Sequence, residues 1–265
     1  MALEGYSIPR TPSGRAGLVP APPWHYAADF LVVDYWADPE MVTGLLPDGL
    51  EPHVDPGRCA AVFADWQSCS EGGEELLDPA RGHYREFFVV ANALLDGEEV
   101  TTCVFIWVDQ DFALARGWIQ GFPKKLGTIW MTKTFGLRCQ ADPGVAGGSR
   151  FGAVCTARGH LIARATVTLE GLSEEGPRHN AAPIINVRHF PRLAEGRHDD
   201  PQVHELVRAV SRDRVSSDVW EGSATLELSP APGEEHELLA PVEIGKGYRF
   251  SFGYTVDDLK TVKEL

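Results

Sequence analysis

The sequence has few basic residues for its length, and it lacks the long apolar runs that cross membranes. Its 265 residues include 24 Lys and Arg against 38 Asp and Glu, a formal net charge of −14. No basic cluster is available to neutralise phosphates, so we expect no nucleic-acid partner. No segment approaches the roughly 18 apolar residues of a membrane helix, and the first residues lack the apolar core of a signal peptide. The sequence therefore predicts a cytoplasmic protein with no membrane partner.

The motifs of several common chemistries are also missing. The five cysteines include no C-x-x-C pair, and the nine histidines have no ligand spacing on one recognisable element. The chain has no G-x-G-x-x-G after a strand, no G-x-x-x-x-G-K-[ST], no H-E-x-x-H and no G-x-S-x-G. We therefore expect no metal site, no nucleotide or other cofactor and no disulfide framework.

What the sequence does contain is mostly strand-like. The segments "YREFFVVANALL" and "EEVTTCVFIWVD" predict a β-hairpin that turns at Asp96 and Gly97, with both faces of its strands buried. Further on, "HLIARATVTLEGL" alternates apolar and polar residues, which predicts a strand in a sheet with one solvent-exposed face. The terminal segment "GYRFSFGYTV" predicts a strand with its aromatic residues along a single face.

Helices are predicted at only a few places. A short one is expected in "DPEMVTGLLP", where Asp38 can cap it, and two others in "QDFALARGWI" and "DPQVHELVRAVSR". No repeat or long linker divides the chain. The simplest architecture is one α+β domain dominated by antiparallel sheet, with few short helices.

The N-terminal segment differs in composition from the rest. Residues 1–24 contain five prolines, which predicts an extended arm without regular structure. A single domain then covers residues 25–265. Because such arms often lie across a neighbouring subunit, we expect a homo-oligomer of undetermined order.

One short motif carries the functional signal: "GFPKK" at residues 121–125, with apolar segments on both sides. A lysine with the ordinary pKa of ~10.4 is almost wholly protonated at neutral pH and cannot attack a carbonyl. Burial or a nearby cation favours the neutral amine, and both are available to Lys124, from its apolar flanks and from Lys125. Taken alone, a Lys-Lys pair is more typical of a solvated surface turn.

The surrounding sequence decides between these interpretations. The stretch "YREFFVVANALLDGEEVTTCVFIWVDQDFALARGWIQGFPKKLG" resembles the central block of the acetoacetate decarboxylase family, and "APIINVRHFP" and "VWEGSATLEL" resemble its later landmarks. The resemblance implies a barrel-like core of antiparallel sheet. It also implies that Lys124 forms a Schiff base with a keto acid.

Several other residues acquire expected roles from this resemblance. Glu86 matches the family's pocket glutamate and is expected to be an acid/base group, although it is open to pairing with a structural arginine. Tyr84 shares its face of the strand and is either a pocket or a core residue. Lys125 is given only a supporting role, because neighbours on an extended segment point to opposite faces.

The sequence also departs from the family in ways that bear on the reaction. An arginine of the family's first strand is replaced by Ala28, and an Arg-Glu pair before the lysine motif by Gly117 and Trp118. A further pocket glutamate has no clear counterpart, although Asp65 is nearby. These changes remove the charged groups that would promote loss of a carboxylate.

The interpretation favoured by these departures is an aldolase-dehydratase that condenses pyruvate with an aldehyde through a lysine enamine. Gln120 and Tyr254 are candidate hydrogen-bond donors, and Arg85 or Arg116 is expected to hold the substrate carboxylate. His25 is a further supporting candidate, and Trp118 is expected to border the pocket. Two alternatives stay open: a decarboxylase of acetoacetate or another β-keto acid, and a non-catalytic carbonyl-binding protein.

Overall fold

Thirteen strands of the described chain belong to one sheet, and two α-helices pack against it. The computed structural model describes residues 2–137, 139–177, 182–194 and 196–265. The elements, in chain order, are β1 (Trp24–Trp36), α1 (Pro39–Gly44), β2 (Glu51–Pro52), β3 (Arg58–Ser70), β4 (His83–Leu95), β5 (Glu98–Val108), α2 (Asp111–Ile119), β6 (Lys124–Leu126), β7 (Thr128–Met131), β8 (Arg150–Ala157), β9 (His160–Leu172), β10 (Ile185–Phe190), β11 (Val203–Ser216), β12 (Trp220–Leu228) and β13 (Glu243–Glu264).

The sheet curls on itself without closing. Its main path runs β6-β5-β4-β3-β1-β13-β12-β9-β8-β7, while β11 pairs with both β10 and β13, and β2 with β4. The β5–β6 pair is parallel, and the other pairs along this path are antiparallel. At the far end of the path, β7 contacts β3, β4 and β5. The result is the α+β, barrel-like architecture expected from the sequence.

Strands β3 to β5 are covered on both faces, which confirms the prediction for β4 and β5. Phe63, Phe87 and Trp107 point into a core enclosed by the curled sheet. Residues of the opposite parity, such as Phe88 and Ile106, belong to a second core that α2 covers. The second core is the one that reaches the functional site.

The predicted hairpin and the first two predicted helices are confirmed. Strands β4 and β5 pair in antiparallel register and turn at Asp96 and Gly97, whose φ angles are 53° and 83°. Asp38 caps α1 by accepting from the backbone N–H of Glu40 at 2.8 Å. Helix α2 covers most of "QDFALARGWI".

The third predicted helix is wrong, because that segment forms strand β11. The apolar residues Val203, Leu206, Val207 and Val210 have helical spacing, which explains the prediction. In the structure β11 pairs with β10 on one side and β13 on the other, so Leu206 and Val207 are both buried, on opposite faces. Pairing along both edges outweighs the local pattern.

The first residues form neither a helix nor a strand, apart from one isolated bridge between Glu4 and Thr11. The segment folds back on itself, since the Ser7 hydroxyl both donates to the Val19 carbonyl oxygen and accepts from the Val19 N–H. Strand β1 begins at Trp24. The domain boundary at this position and the contact with a second subunit stay predictions.

No helix within the described ranges is long and apolar enough to span a membrane. The same residues contain no cluster of His, Cys, Asp and Glu that could hold a metal ion.

Candidate active site

Lys124 begins strand β6, and its side chain lies against the backbone of helix α2. A tight turn at Gly121, with φ of 82°, brings the chain from the helix back to the sheet. A Cβ atom added to Gly117 would lie 2.3 Å from Cδ of Lys124, so this side chain packs where only a glycine leaves room. Gly117, one of the departures from the family pattern, therefore makes space for the lysine.

The ammonium of Lys124 contacts a buried carboxylate. Its Nζ lies 2.8 Å from Oε2 of Glu86, and the two residues are only 8% and 5% exposed. Glu86 lies on β4 between Tyr84 and Phe88, and all three belong to the face that carries the second core. In this arrangement Glu86 can take a proton from the amine and return it to a substrate atom.

Trp66 supplies the other contact of this carboxylate. Its indole nitrogen donates to Oε1 of Glu86 at 2.7 Å, from the neighbouring strand β3. With one oxygen held by Trp66 and the other by Lys124, the orientation of the carboxylate is fixed. No local sequence signal indicates this hydrogen bond, which joins two strands.

Arg116 places a buried cation close to the pair. It is 4% exposed, and its guanidinium carbon lies 4.8 Å from the ring centre of Tyr26 and 5.5 Å from that of Tyr84. Its Nη2 donates to the hydroxyl of Ser68 at 3.0 Å. Within the described part of the chain, no carboxylate lies within 4 Å of this guanidinium. A buried cation that lacks an acidic partner is well suited to hold a substrate carboxylate.

Three tyrosine hydroxyls remain available as proton donors in this region. Burial raises the pKa of Tyr26, Tyr84 and Tyr254, so each hydroxyl keeps its proton at neutral pH. Tyr254 stacks on Tyr26 with ring centres 5.1 Å apart. Gln120 is within 3.5 Å of the Tyr26 hydroxyl and therefore joins the same group.

A cavity of about 620 Å³ brings these side chains together. Six of the residues expected from the sequence line it, namely Lys124, Glu86, Gln120, Tyr254, Tyr84 and Arg116. Trp66, Phe30 and Phe252 add aromatic surface, and Glu86 is its only carboxylate among the described residues. The volume suits a small molecule held by a few polar groups in an apolar wall.

The other expected residues lie outside this cavity. Arg85 has the opposite parity to Glu86 on β4, where it pairs with Asp109 at 3.2 Å and stacks on Trp130 at 4.5 Å. It is therefore not placed to hold a substrate carboxylate in this cavity. Trp118 is half exposed and does not border the pocket, although its indole N–H donates to the Lys124 carbonyl oxygen at 2.9 Å.

The side chains of Lys125 and His25 also point away from the cavity. Lys125 points to the face opposite Lys124, as expected for a strand, and pairs there with Glu234 beside the ring of Trp107. His25 lies between Thr255, at 3.0 Å, and Glu71, at 3.1 Å. Neither residue lines the cavity, so Lys125 does not provide a cation inside it.

The positions that depart from the family pattern are filled by apolar groups or lie at the surface. Ala28 is paired in register with Trp66 on one side and Phe252 on the other, and it belongs to the second core. Asp65 has the opposite parity to Trp66 and contacts His83 and Lys133, each at 2.9 Å. Asp65 therefore does not replace the missing pocket glutamate.

The match to a family model confirms the resemblance read from the sequence. The model, described as acetoacetate decarboxylase, matches residues 7–265. This chain therefore belongs to the acetoacetate decarboxylase family. The comparison with curated protein sequences returns no significant match.

Solved structures of relatives superpose over nearly the whole chain. The enduracididine biosynthesis enzyme MppR, complexed with the condensation product of pyruvate and imidazole 4-carboxaldehyde, is 34% identical with a TM-score of 0.93, over 99% of this chain and 98% of its own. An acetoacetate decarboxylase-like enzyme from Sphingomonas wittichii RW1 is 29% identical with a TM-score of 0.88, over 99% and 100%. An acetoacetate decarboxylase from Legionella pneumophila, 21% identical with a TM-score of 0.77 over 100% and 98%, shares the fold.

Proposed function

We propose that this protein is a lyase that condenses pyruvate, or a close 2-oxo acid, with an aldehyde and then removes water. Lys124 is the nucleophile, Glu86 the acid/base group, and no cofactor takes part. The observation that carries the proposal is the buried contact between Nζ of Lys124 and Glu86, beside an arginine that has no acidic partner among the described residues. The similarity to MppR, solved with a pyruvate–aldehyde condensation product, supports the same reaction class.

The first half of the proposed reaction forms the Schiff base. Glu86 accepts a proton from Nζ of Lys124, and the neutral amine attacks the C2 carbonyl of pyruvate. Loss of water from the carbinolamine gives a cationic iminium. Meanwhile Arg116 holds the carboxylate of pyruvate by charge-assisted hydrogen bonds, which keeps the methyl group on the side of Glu86.

The second half forms the carbon–carbon bond. The Glu86 carboxylate takes a proton from the methyl group, and the electron pair of that C–H bond makes the enamine. The enamine carbon then attacks the aldehyde, and Tyr254 donates a proton to the developing alkoxide. Elimination of water and hydrolysis of the imine release the unsaturated 2-oxo acid and regenerate the amine of Lys124.

Decarboxylation of a β-keto acid is the second candidate, favoured by membership of the family itself. It would use the same iminium, with the carbon–carbon bond broken instead of formed. The sequence argues against it, because Ala28, Gly117 and Trp118 stand where the family pattern has charged groups. Without those charged groups, the site has fewer ways to promote the loss of carbon dioxide from the substrate.

The two candidates are separated by product analysis. With pyruvate and benzaldehyde, the condensation reaction produces a conjugated 2-oxo acid whose ultraviolet absorbance rises with time. With acetoacetate, the decarboxylation reaction releases carbon dioxide and acetone. We expect the first signal and not the second, and the reverse pattern would assign the protein to the decarboxylases.

A further inference from the structure

The mouth of the cavity carries positive charge in a chain that is strongly acidic. Arg208 and Arg214 on β11 and Lys260 on β13 all line the cavity and are exposed to solvent. The chain as a whole has a formal net charge of −14. These three cations therefore form a local region of positive charge on a protein whose net charge repels anions.

Two of these cations face each other across neighbouring strands. Arg208 and Lys260 are directly paired in the register between β11 and β13. Like charges in directly opposite positions are about 5 Å apart at Cβ and destabilise a sheet. Within the described ranges neither side chain has a carboxylate within 4 Å, and the nearby Asp258 accepts the backbone N–H of Leu259. The pairing therefore costs stability unless an anion binds between the two cations.

Arg214 brings the third cation toward the reacting groups. It lies in the irregular part of β11, between Arg212 and Val215, where the register with β13 shifts. Its Nη2 donates to the Ser211 hydroxyl at 3.2 Å, and it lines the same cavity as Tyr254. By contrast Arg212, two residues earlier on the strand, forms salt bridges with Asp213 and Asp257.

We propose that Arg208, Lys260 and Arg214 form a subsite for a negatively charged group on the aldehyde substrate. The inference rests on the proposed condensation and specifies its second substrate. Arg116 and Lys124, deep in the cavity, hold the pyruvate carboxylate and carbonyl, while the three cations at the mouth select an aldehyde that carries its own acidic group. Attraction of this kind raises the rate of encounter as well as the affinity, and it is screened by salt.

The test compares two aldehydes of the same shape and different charge, 4-formylbenzoate and 4-formylbenzamide. With the native protein and pyruvate, we expect kcat/KM to be about tenfold higher for the carboxylate, and this preference to shrink at about 1 M salt. The triple variant Arg208→Gln, Lys260→Gln, Arg214→Gln should lose this preference, with kcat/KM for the carboxylate no higher than that for the amide. Lys263→Gln is the matched control, since Lys263 is an exposed cation on β13 that lies outside the cavity lining.

Binding of the condensation products provides a readout that does not need turnover. Isothermal titration with the carboxylate and carboxamide forms of the unsaturated product should show tighter binding of the carboxylate, lost in the triple variant and kept in Lys263→Gln. Equal affinity of the native protein for both products, or a preference that survives in the triple variant, would overturn the subsite. Failure of both aldehydes to react, with the binding preference intact, would count against the condensation and not against the subsite.

Discussion

The indole nitrogen of Trp66 lies 2.7 Å from Oε1 of Glu86, the carboxylate whose other oxygen accepts from Lys124. Trp66 does not touch the reacting atoms of the proposed reaction. It acts through Glu86, by holding the carboxylate in the orientation that serves the amine.

Trp66→Phe keeps the aromatic ring and removes the hydrogen bond. A buried acceptor left without its donor costs about 1–3 kcal/mol, and a misoriented Glu86 should lower kcat about tenfold. KM for pyruvate should hardly change, because Arg116 is untouched. Steady-state kinetics provide the measurement, and Trp107→Phe is the control, since the Trp107 indole N–H has no hydrogen-bond partner among the described residues. A fall confined to KM, or equal losses in the two variants, would contradict the positioning role.

Arg116→Gln tests which arginine holds the keto acid. Loss of a charge-assisted hydrogen bond of roughly 1.5–3 kcal/mol should raise KM for pyruvate by roughly 10- to 100-fold. Arg85→Gln should leave KM unchanged, because Arg85 pairs with Asp109 outside the cavity. An effect of Arg85→Gln as large as that of Arg116→Gln would show that the carboxylate is held elsewhere.

Tyr254 links the site to stability at high pH. Burial raises the pKa of Tyr254, so the unfolded chain releases this proton near pH ~10 and the folded chain only at higher pH. The unfolded state therefore binds fewer protons than the folded state above pH ~10, and the free energy of unfolding falls as the pH rises. Denaturant titrations at a series of pH values should show this fall, and Tyr254→Phe should reduce its slope.

The Tyr254→Phe variant should also catalyse the condensation more slowly at neutral pH, because it lacks the proposed proton donor. An unchanged rate would remove Tyr254 from the mechanism.

Lys125→Met separates the two neighbouring lysines. The buried Glu234 loses its partner, so the melting temperature should fall by an amount equivalent to about 1–3 kcal/mol. The rate of Schiff-base formation should change less than twofold, since the Lys125 ammonium lies on the face opposite Lys124. Glu234→Gln in the same background should restore stability. If Lys125→Met abolished trapping of pyruvate instead, the neighbouring cation would be required for activation.

Local motifs and the resemblance place Lys124 and Glu86 at one site, and the strand-like segments predict most of the sheet. The third helix was predicted wrongly because β11 has a helical apolar period and becomes a strand only through pairing with β10 and β13. The Trp66–Glu86 contact was missed because it depends on the register of two strands, and the residues are 20 positions apart in sequence. Strand registers of this kind are fixed by packing and have no local signature.

Arg85 and Trp118, two of the residues expected at the pocket, lie outside the cavity lining, and strand and helix geometry explain why. Adjacent residues of a strand point to opposite faces, so Arg85 and Glu86 cannot share the cavity side. Residues four apart lie on one face of a helix, so Arg116 of α2 and Gln120, its C-cap, both face the cavity. Trp118 lies on another face of the helix, away from the cavity. Once the helix and the strand are assigned, their periodicity is therefore enough to show that Arg116 faces the cavity and Arg85 does not.

Schiff-base formation by Lys124 is tested by the intact mass of the protein after borohydride reduction in the presence of pyruvate. We expect one reduced pyruvyl adduct on the native chain and on Lys125→Met, and none on Lys124→Ala. Absence of the adduct from the native chain, or its persistence in Lys124→Ala, would contradict the account.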